Sequence, residues 1–138
     1  MRPDEVRMSV RSDHDKLRAL LTELERTARI ALAGKPLPRG VLRGEAKALL
    51  TSLASHMSWE DRYLVPIVRQ NRGLGERRCA KIAEDHHEQR ALLEYALRQL
   101  HDEFRPECIV AGNLLDLIAL LRSDMDEEES AILKNSFH

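Results

Sequence analysis

Aromatic residues make up only 4% of this 138-residue chain, and no stretch alternates apolar with polar residues at period two, which argues against strands and a sheet core. Cysteine occurs twice, at Cys79 and Cys108, far apart and without CxxC spacing. That excludes a disulfide framework and a zinc ribbon, and it fits reduced, partly buried thiols that serve packing. No apolar run nears the ~18 residues that a membrane span requires, and the opening "MRPDEVRMSVRSDHDK" is too charged for a secretory signal. Charge of one sign is missing too. Lys and Arg number 22 against 23 Asp and Glu, a net charge of -1, so no electrostatic excess directs the chain to nucleic acid or to an anionic membrane. The densest basic stretch, "RQNRGLGERR" at 69–78, reads as a solvated loop. The expectation is a soluble, cytoplasmic, single-domain protein spanning 1–138.

Glycine and proline are few and clustered. They fall mainly at "AGKPLPRG" (33–40) and "RGLG" (72–75), with a shorter break at "FRPE" (104–107), and these breaks leave four long segments. Val10, Leu17, Leu21, Leu24 and Ala28 recur at helical spacing in the first, from between 4 and 10 to about 33. Leu42, Leu49, Leu53, Leu64 and Ile67 do so in the second, about 39–70; Ile82, Leu93, Leu97 and Leu100 in the third, about 75–103. The fourth, about 107–134, carries Leu114, Ile118, Leu121, Met125 and Ile132. The pattern predicts an all-α, up-down-up-down antiparallel four-helix bundle. Pro66 is expected to kink or end the second helix, because proline removes a backbone donor and crowds the preceding turn.

The chain also repeats itself. "DHDKLRALL" at 13–21 and "DHHEQRALL" at 85–93 agree at six of nine positions, at an offset of 72 residues (13 to 85). "SHMSWEDRYL" at 55–64 is echoed by "SDMDEEESAI" at 123–132, at an offset of 68 (55 to 123). Two copies of one helical hairpin account for this. The pairing matches His14 with His86, His56 with Asp124 and Glu60 with Glu128.

A helix rises 1.5 Å per residue, so partners at one level of a bundle lie at matching distances from the intervening turn. His14 lies about nineteen residues before the first break and His56 about sixteen after it; His56 and His86 lie about fourteen and eleven from the second. His86 and Asp124 each lie about seventeen from the third. The marked residues therefore meet at one level. Residues at i and i+4 share a helix face, so His56 with Glu60, and Asp124 with Glu128, point the same way as Leu53, Leu64 and Leu121. Two carboxylates facing each other in a core are costly unless a cation lies between them. Inward imidazoles and carboxylates from four helices are the pattern of a two-metal bundle site, and the mixture suits iron, manganese or zinc better than calcium or magnesium. The expected ligands are His14, His56, Glu60, His86, Asp124 and Glu128. Asp61, Glu127 and Glu129 are expected to form a solvent-facing acidic rim, and His87, one step round the helix, to point away from the ligands. His101 and His138 read as surface residues, and Tyr63 as a core tyrosine. Arg18 and Arg90, each one turn after a marked histidine, are open to two readings, as partners of the bridging carboxylates or as solvent-facing side chains.

"DHDKLRALL", "HMSWEDRYLVP", "EDHHEQRALL" and "EEESAIL" together resemble the hemerythrin-like HHE cation-binding family over nearly the whole chain. The resemblance implies a four-helix bundle with a non-haem di-iron centre used for oxygen, nitric oxide or peroxide binding or sensing, or for iron handling. Position by position it implies His14, His56, Glu60, His86 and Glu128 as ligands, with Glu60 and Glu128 bridging the metals. Oxygen-carrying members have a further histidine where this chain has Arg90, and related bacterial domains begin the fourth-helix motif with His where this chain has Asp124. Two alternatives accompany this reading. One is a ferroxidase- or peroxidase-type redox enzyme, favoured by the oxygen-rich ligand set; the other is a metal-poor bundle acting as an interaction module.

Overall fold

The computed structural model describes residues 2–70 and 73–133, with side chains described to position 131. Helix α1 runs Pro3–Leu32, α2 Val41–Trp59, α3 Val65–Arg69, α4 Gly75–His101 and α5 Glu107–Glu128. A π-helical turn, Glu60–Leu64, joins α2 to α3 into one continuous second helix, and another, Glu129–Leu133, extends α5. The four helices of the bundle are thus α1, α2 through α3, α4 and α5, and no strand is present among the described residues. None of these helices is long and apolar enough to cross a membrane.

Local chemistry explains the ends. Pro3 occupies the first turn of α1, where its missing N–H costs nothing, and Asp4 and Glu5 complement the positive end of the helix dipole. Gly75 opens α4 against the end of the preceding helix, so close that a Cβ there would lie 2.7 Å from the Val68 carbonyl oxygen. Gly73 turns the chain with φ 87°, a left-handed conformation that favours glycine.

Pro66 does not end the second helix, which continues to Arg69. The turn before it has opened, with the Val65 N–H donating to the Glu60 carbonyl five residues back. This wider turn accommodates the donor that Pro66 lacks and the bulk of its ring. The second π turn has no proline. The first begins at Glu60 and the second at Glu129, one residue after Glu128, and π turns of this kind concentrate at functional sites.

The periodic apolar residues form the core largely as the pattern predicts. Val10, Leu17, Leu21, Leu24, Ala28, Leu42, Leu49, Leu53, Leu64, Ile82, Leu100, Leu114, Ile118, Leu121 and Met125 are all buried. Ile67, Leu93 and Leu97 are half-buried, and the Ile132 side chain and His138 lie outside the described residues, as does part of the basic stretch at 69–78. Cys79 is buried beside the Val65 carbonyl, whereas Cys108 is exposed and takes no part in packing. The core is divided. A large cluster runs from Ala31 and Leu42 to Leu53, Met57 and Met125, and a smaller one contains Val6, Val10, Leu64, Val68, Cys79 and Ile82. Along α1, His14 falls between Val10 and Leu17; along α4, His86 falls between Ile82 and Ala96; Glu60 falls between Met57 and Leu64. A polar layer therefore crosses the bundle between two apolar ones.

Candidate metal centre

His14, His56 and Glu60 are 1%, 6% and 2% exposed and His86 is 2% exposed, burial that these residue types rarely show without partners. With Asp124 and Glu128 they line one cavity of about 20 Å³, room for about one water molecule. All six marked residues thus meet at one level.

The imidazoles share an orientation. His86 Nε2 lies 3.0 Å from Glu60 Oε1, His56 Nε2 lies 3.2 Å from the same oxygen, and His14 Nε2 lies 3.1 Å from Glu128 Oε1. Every Nε2 faces inward. Every Nδ1 faces a carboxylate: Asp61 at 2.7 Å for His86, Asp13 at 3.2 Å for His56 and Glu129 at 3.7 Å for His14. A histidine tied at one nitrogen offers the other in a fixed direction, which is how metal-binding histidines are held. Asp124 is half-buried, and its Oδ2 accepts a hydrogen bond of 2.8 Å from the buried Gln89 amide.

Glu60 Oε2, Glu128 Oε1 and His14 Nδ1 are buried and make no hydrogen bond of normal geometry. Glu128 Oε1 has only the ion-pair contact with His14 Nε2, and Glu60 only its close approach to Glu128 on that side. Unpaired buried polar atoms cost about 1–3 kcal/mol each and call for a ligand. One ligand atom from each of His14, His56, Glu60 and Glu128 lies within 4.8 Å of the others. Opposite ligands around one ion at about 2.1 Å are separated by nearly that distance, so a small inward shift suffices for coordination. The donor set fits a transition-metal ion.

The charges point the same way. Burial alone raises the Glu60 pKa, but hydrogen bonding by Glu128, His56 and His86 outweighs it and holds Glu60 ionised below the usual carboxyl range. Burial, reinforced by the adjoining Glu60, raises Glu128 well above that range, so the facing pair retains a proton. Burial lowers His56 and His86, yet Glu60 together with Asp13 or Asp61 more than compensates and raises both. Burial and the neighbouring His56 lower His14.

These directions set a pH dependence for the metal-free protein. Groups raised by folding, Glu128, His56 and His86, stabilise the fold at low pH and lose that contribution as pH climbs through their folded values. The lowered groups, His14 and Glu60, contribute fully above their ordinary values of 6.5 and 4.5. The metal-free melting temperature should therefore fall over the interval that begins near the ordinary histidine value of 6.5 and ends at the raised folded values of His56, His86 and Glu128. A scan by circular dichroism that rises over that interval would contradict the proton inventory.

A family model for the hemerythrin HHE cation binding domain matches residues 9–135. This chain belongs to that family. Neither the curated proteins nor the solved structures gave a match. Membership and the buried His/Glu cluster agree on cation binding, within an all-helical fold of the kind the family adopts.

Within this HHE domain, several outer residues stand differently from the sequence expectation. Glu127 and Asp61 are exposed, as expected for the rim, although Asp61 also reaches His86, whereas Glu129 is half-buried and faces His14. Arg90 pairs with Asp61 and Arg18 with Glu129, so neither arginine pairs with Glu60 or Glu128. The reason is reach: a residue one step round from an inward-facing glutamate lies at the helix–helix seam, close to the next helix. His87 and His101 are exposed, and Tyr63 packs half-buried against Trp59 at 5.2 Å. Periodicity does not identify Asp13, Asp85 and Gln89, of which Asp85 and Gln89 line the cavity. A signal for two of them was available, since Asp13 and Asp85 each precede a marked histidine in the duplicated segment.

Proposed function

We propose that this HHE domain, spanning 1–138, holds two non-haem iron ions through His14, His56, Glu60, His86, Asp124 and Glu128. With those ions it binds or senses oxygen, nitric oxide or peroxide, or handles iron. The observation that carries this reading is the convergence of three histidine Nε2 atoms, the buried Glu60 and the half-buried Glu128 on one small cavity. Manganese or zinc suits the same donors. Bound iron would supply the redox and ligand-binding chemistry, and the chain would supply orientation and a largely apolar surround. A purely interaction-based role gives no reason to bury this charge, since an ionised core carboxylate without a cation is costly.

Asp124 favours a second reading. Where the first half presents the imidazole of His56, the second presents an anion, and added negative charge beside iron favours its ferric state. Such a site suits ferroxidase or peroxidase turnover. Exposing the anaerobic ferrous protein to nitric oxide, oxygen and peroxide while recording the ultraviolet-visible spectrum separates the readings. Saturable one-to-one spectral changes support binding or sensing, repeated consumption of peroxide or ferrous iron supports the enzyme, and absence of any metal-dependent band contradicts both.

Asp124→His should raise the reduction potential and tighten occupancy of the second-half position. Metal counting checks the role of Asp124. Two metals in the natural protein support it as a direct or water-bridged ligand, whereas one metal rising to two only in the variant would remove it from the ligand set.

A further inference from the structure

The duplication extends outside the ring of expected ligands. Asp61, the residue after Glu60, reaches from the first half to the second, where His86 Nδ1 meets its Oδ1 at 2.7 Å. Arg90, one turn after His86, donates to Asp61 Oδ2 at 2.6 Å. The other half repeats the arrangement. Glu129, the residue after Glu128, faces His14 Nδ1 at 3.7 Å, and Arg18, one turn after His14, donates to both oxygens of Glu129 and to Asp126 at 2.8 Å. In each trio the acid comes from one half of the sequence and the histidine and arginine from the other.

We propose that Asp61 with Arg90 is a cross-half latch: a pair of positioning residues that fixes the ring of His86 and so sets how tightly the site holds its metal. Glu129 with Arg18 repeats the layout without a hydrogen bond to His14. The proposal rests on the metal-binding reading above. A carboxylate on Nδ1 fixes the tautomer that leaves Nε2 free to ligate. Such a carboxylate at a helix seam has several rotamers, and the arginine fork selects the one that faces the ring. Asp61 and Arg90 are 42% and 47% exposed, so as an ion pair they add little to folding stability. Their effect falls on ring orientation. The His86 Nδ1–Asp61 contact is 2.7 Å and the His14 Nδ1–Glu129 separation is 3.7 Å, so only the first is closed.

The experiment is a chelator competition for Zn²⁺, a redox-silent probe, on the natural chain and on Asp61→Asn, Arg90→Gln, Arg90→Lys and Arg18→Gln, alongside metal-free melting curves. Asp61→Asn and Arg90→Gln should each weaken Zn²⁺ binding about 10–100-fold. Arg18→Gln should weaken it less, because Glu129 makes no hydrogen bond to His14, and an equal loss from Arg18→Gln would count against the latch. Arg90→Lys should restore much of the loss, and the metal-free melting temperature of the Arg90 variants should stay within about 2 °C of the parent. Unchanged affinity in Asp61→Asn and Arg90→Gln would overturn the latch while leaving the metal-binding reading intact. So would an affinity loss that tracks a lower metal-free melting temperature and is not relieved by lysine. A natural chain that binds no Zn²⁺, iron or manganese would overturn both.

Discussion

Replacing Glu60 or Glu128 with alanine should strip the chain of most of its paired metal, whereas Glu127→Ala should leave the metal content unchanged. Glu60 is the hub of the polar layer, since both His56 and His86 direct Nε2 at its Oε1. Glu128 faces His14 from the other half and shares the retained proton with Glu60. A carboxylate bridging two ions serves both positions, so its loss weakens both together, and occupancy should fall from about two metals per chain to well below one. Glu127 is the control because it neighbours Glu128 in sequence but is exposed. Elemental analysis of the three purified variants decides the matter. Equal losses from all three would mean that metal is held by general acidity of the fourth helix and that the assigned face is wrong.

Removing the metal with a chelator should lower the melting temperature by on the order of 10 °C or more. A ligand held only by the folded state stabilises it by about 4 kcal/mol when present at a thousand times its dissociation constant, and each kcal/mol moves the midpoint of a domain this size by several degrees. The architecture explains why stability should respond so strongly. The polar layer separates two apolar clusters, and without a cation it holds buried atoms of Glu60, Glu128 and His14 that make no hydrogen bond of normal geometry. Differential scanning fluorimetry with and without chelator measures the shift. An unchanged midpoint in a protein shown to be metal-loaded would separate the site from the fold's stability.

Much of this was legible because helical periodicity is a strong signal. Leucines at one face predict four helices, and the matching distances of His14, His56, His86 and Asp124 from the turns predict the level at which they meet. The cavity is lined by all of them. Periodicity resolves a face only to about one residue's step, however, and that step separates a solvent-facing rim from a helix seam. Glu129 falls in that gap, half-buried opposite His14, and Asp61, although exposed as the pattern predicts, also reaches His86 across the seam. The π turns at Glu60–Leu64 and Glu129–Leu133 were not legible either, since the proline that accompanies the first has no counterpart in the second. The better guide to the outer residues was the duplication, in which Asp13, Arg18, Asp85 and Arg90 recur at identical places.

The most direct test of the account is the metal-to-protein ratio of the aerobically purified natural chain, measured by elemental analysis together with its ultraviolet-visible spectrum. The account predicts about two transition-metal ions per chain, chiefly iron, with near-ultraviolet absorption that chelation abolishes. A folded, helical protein that contains no transition metal and takes up none from iron, manganese or zinc would contradict it.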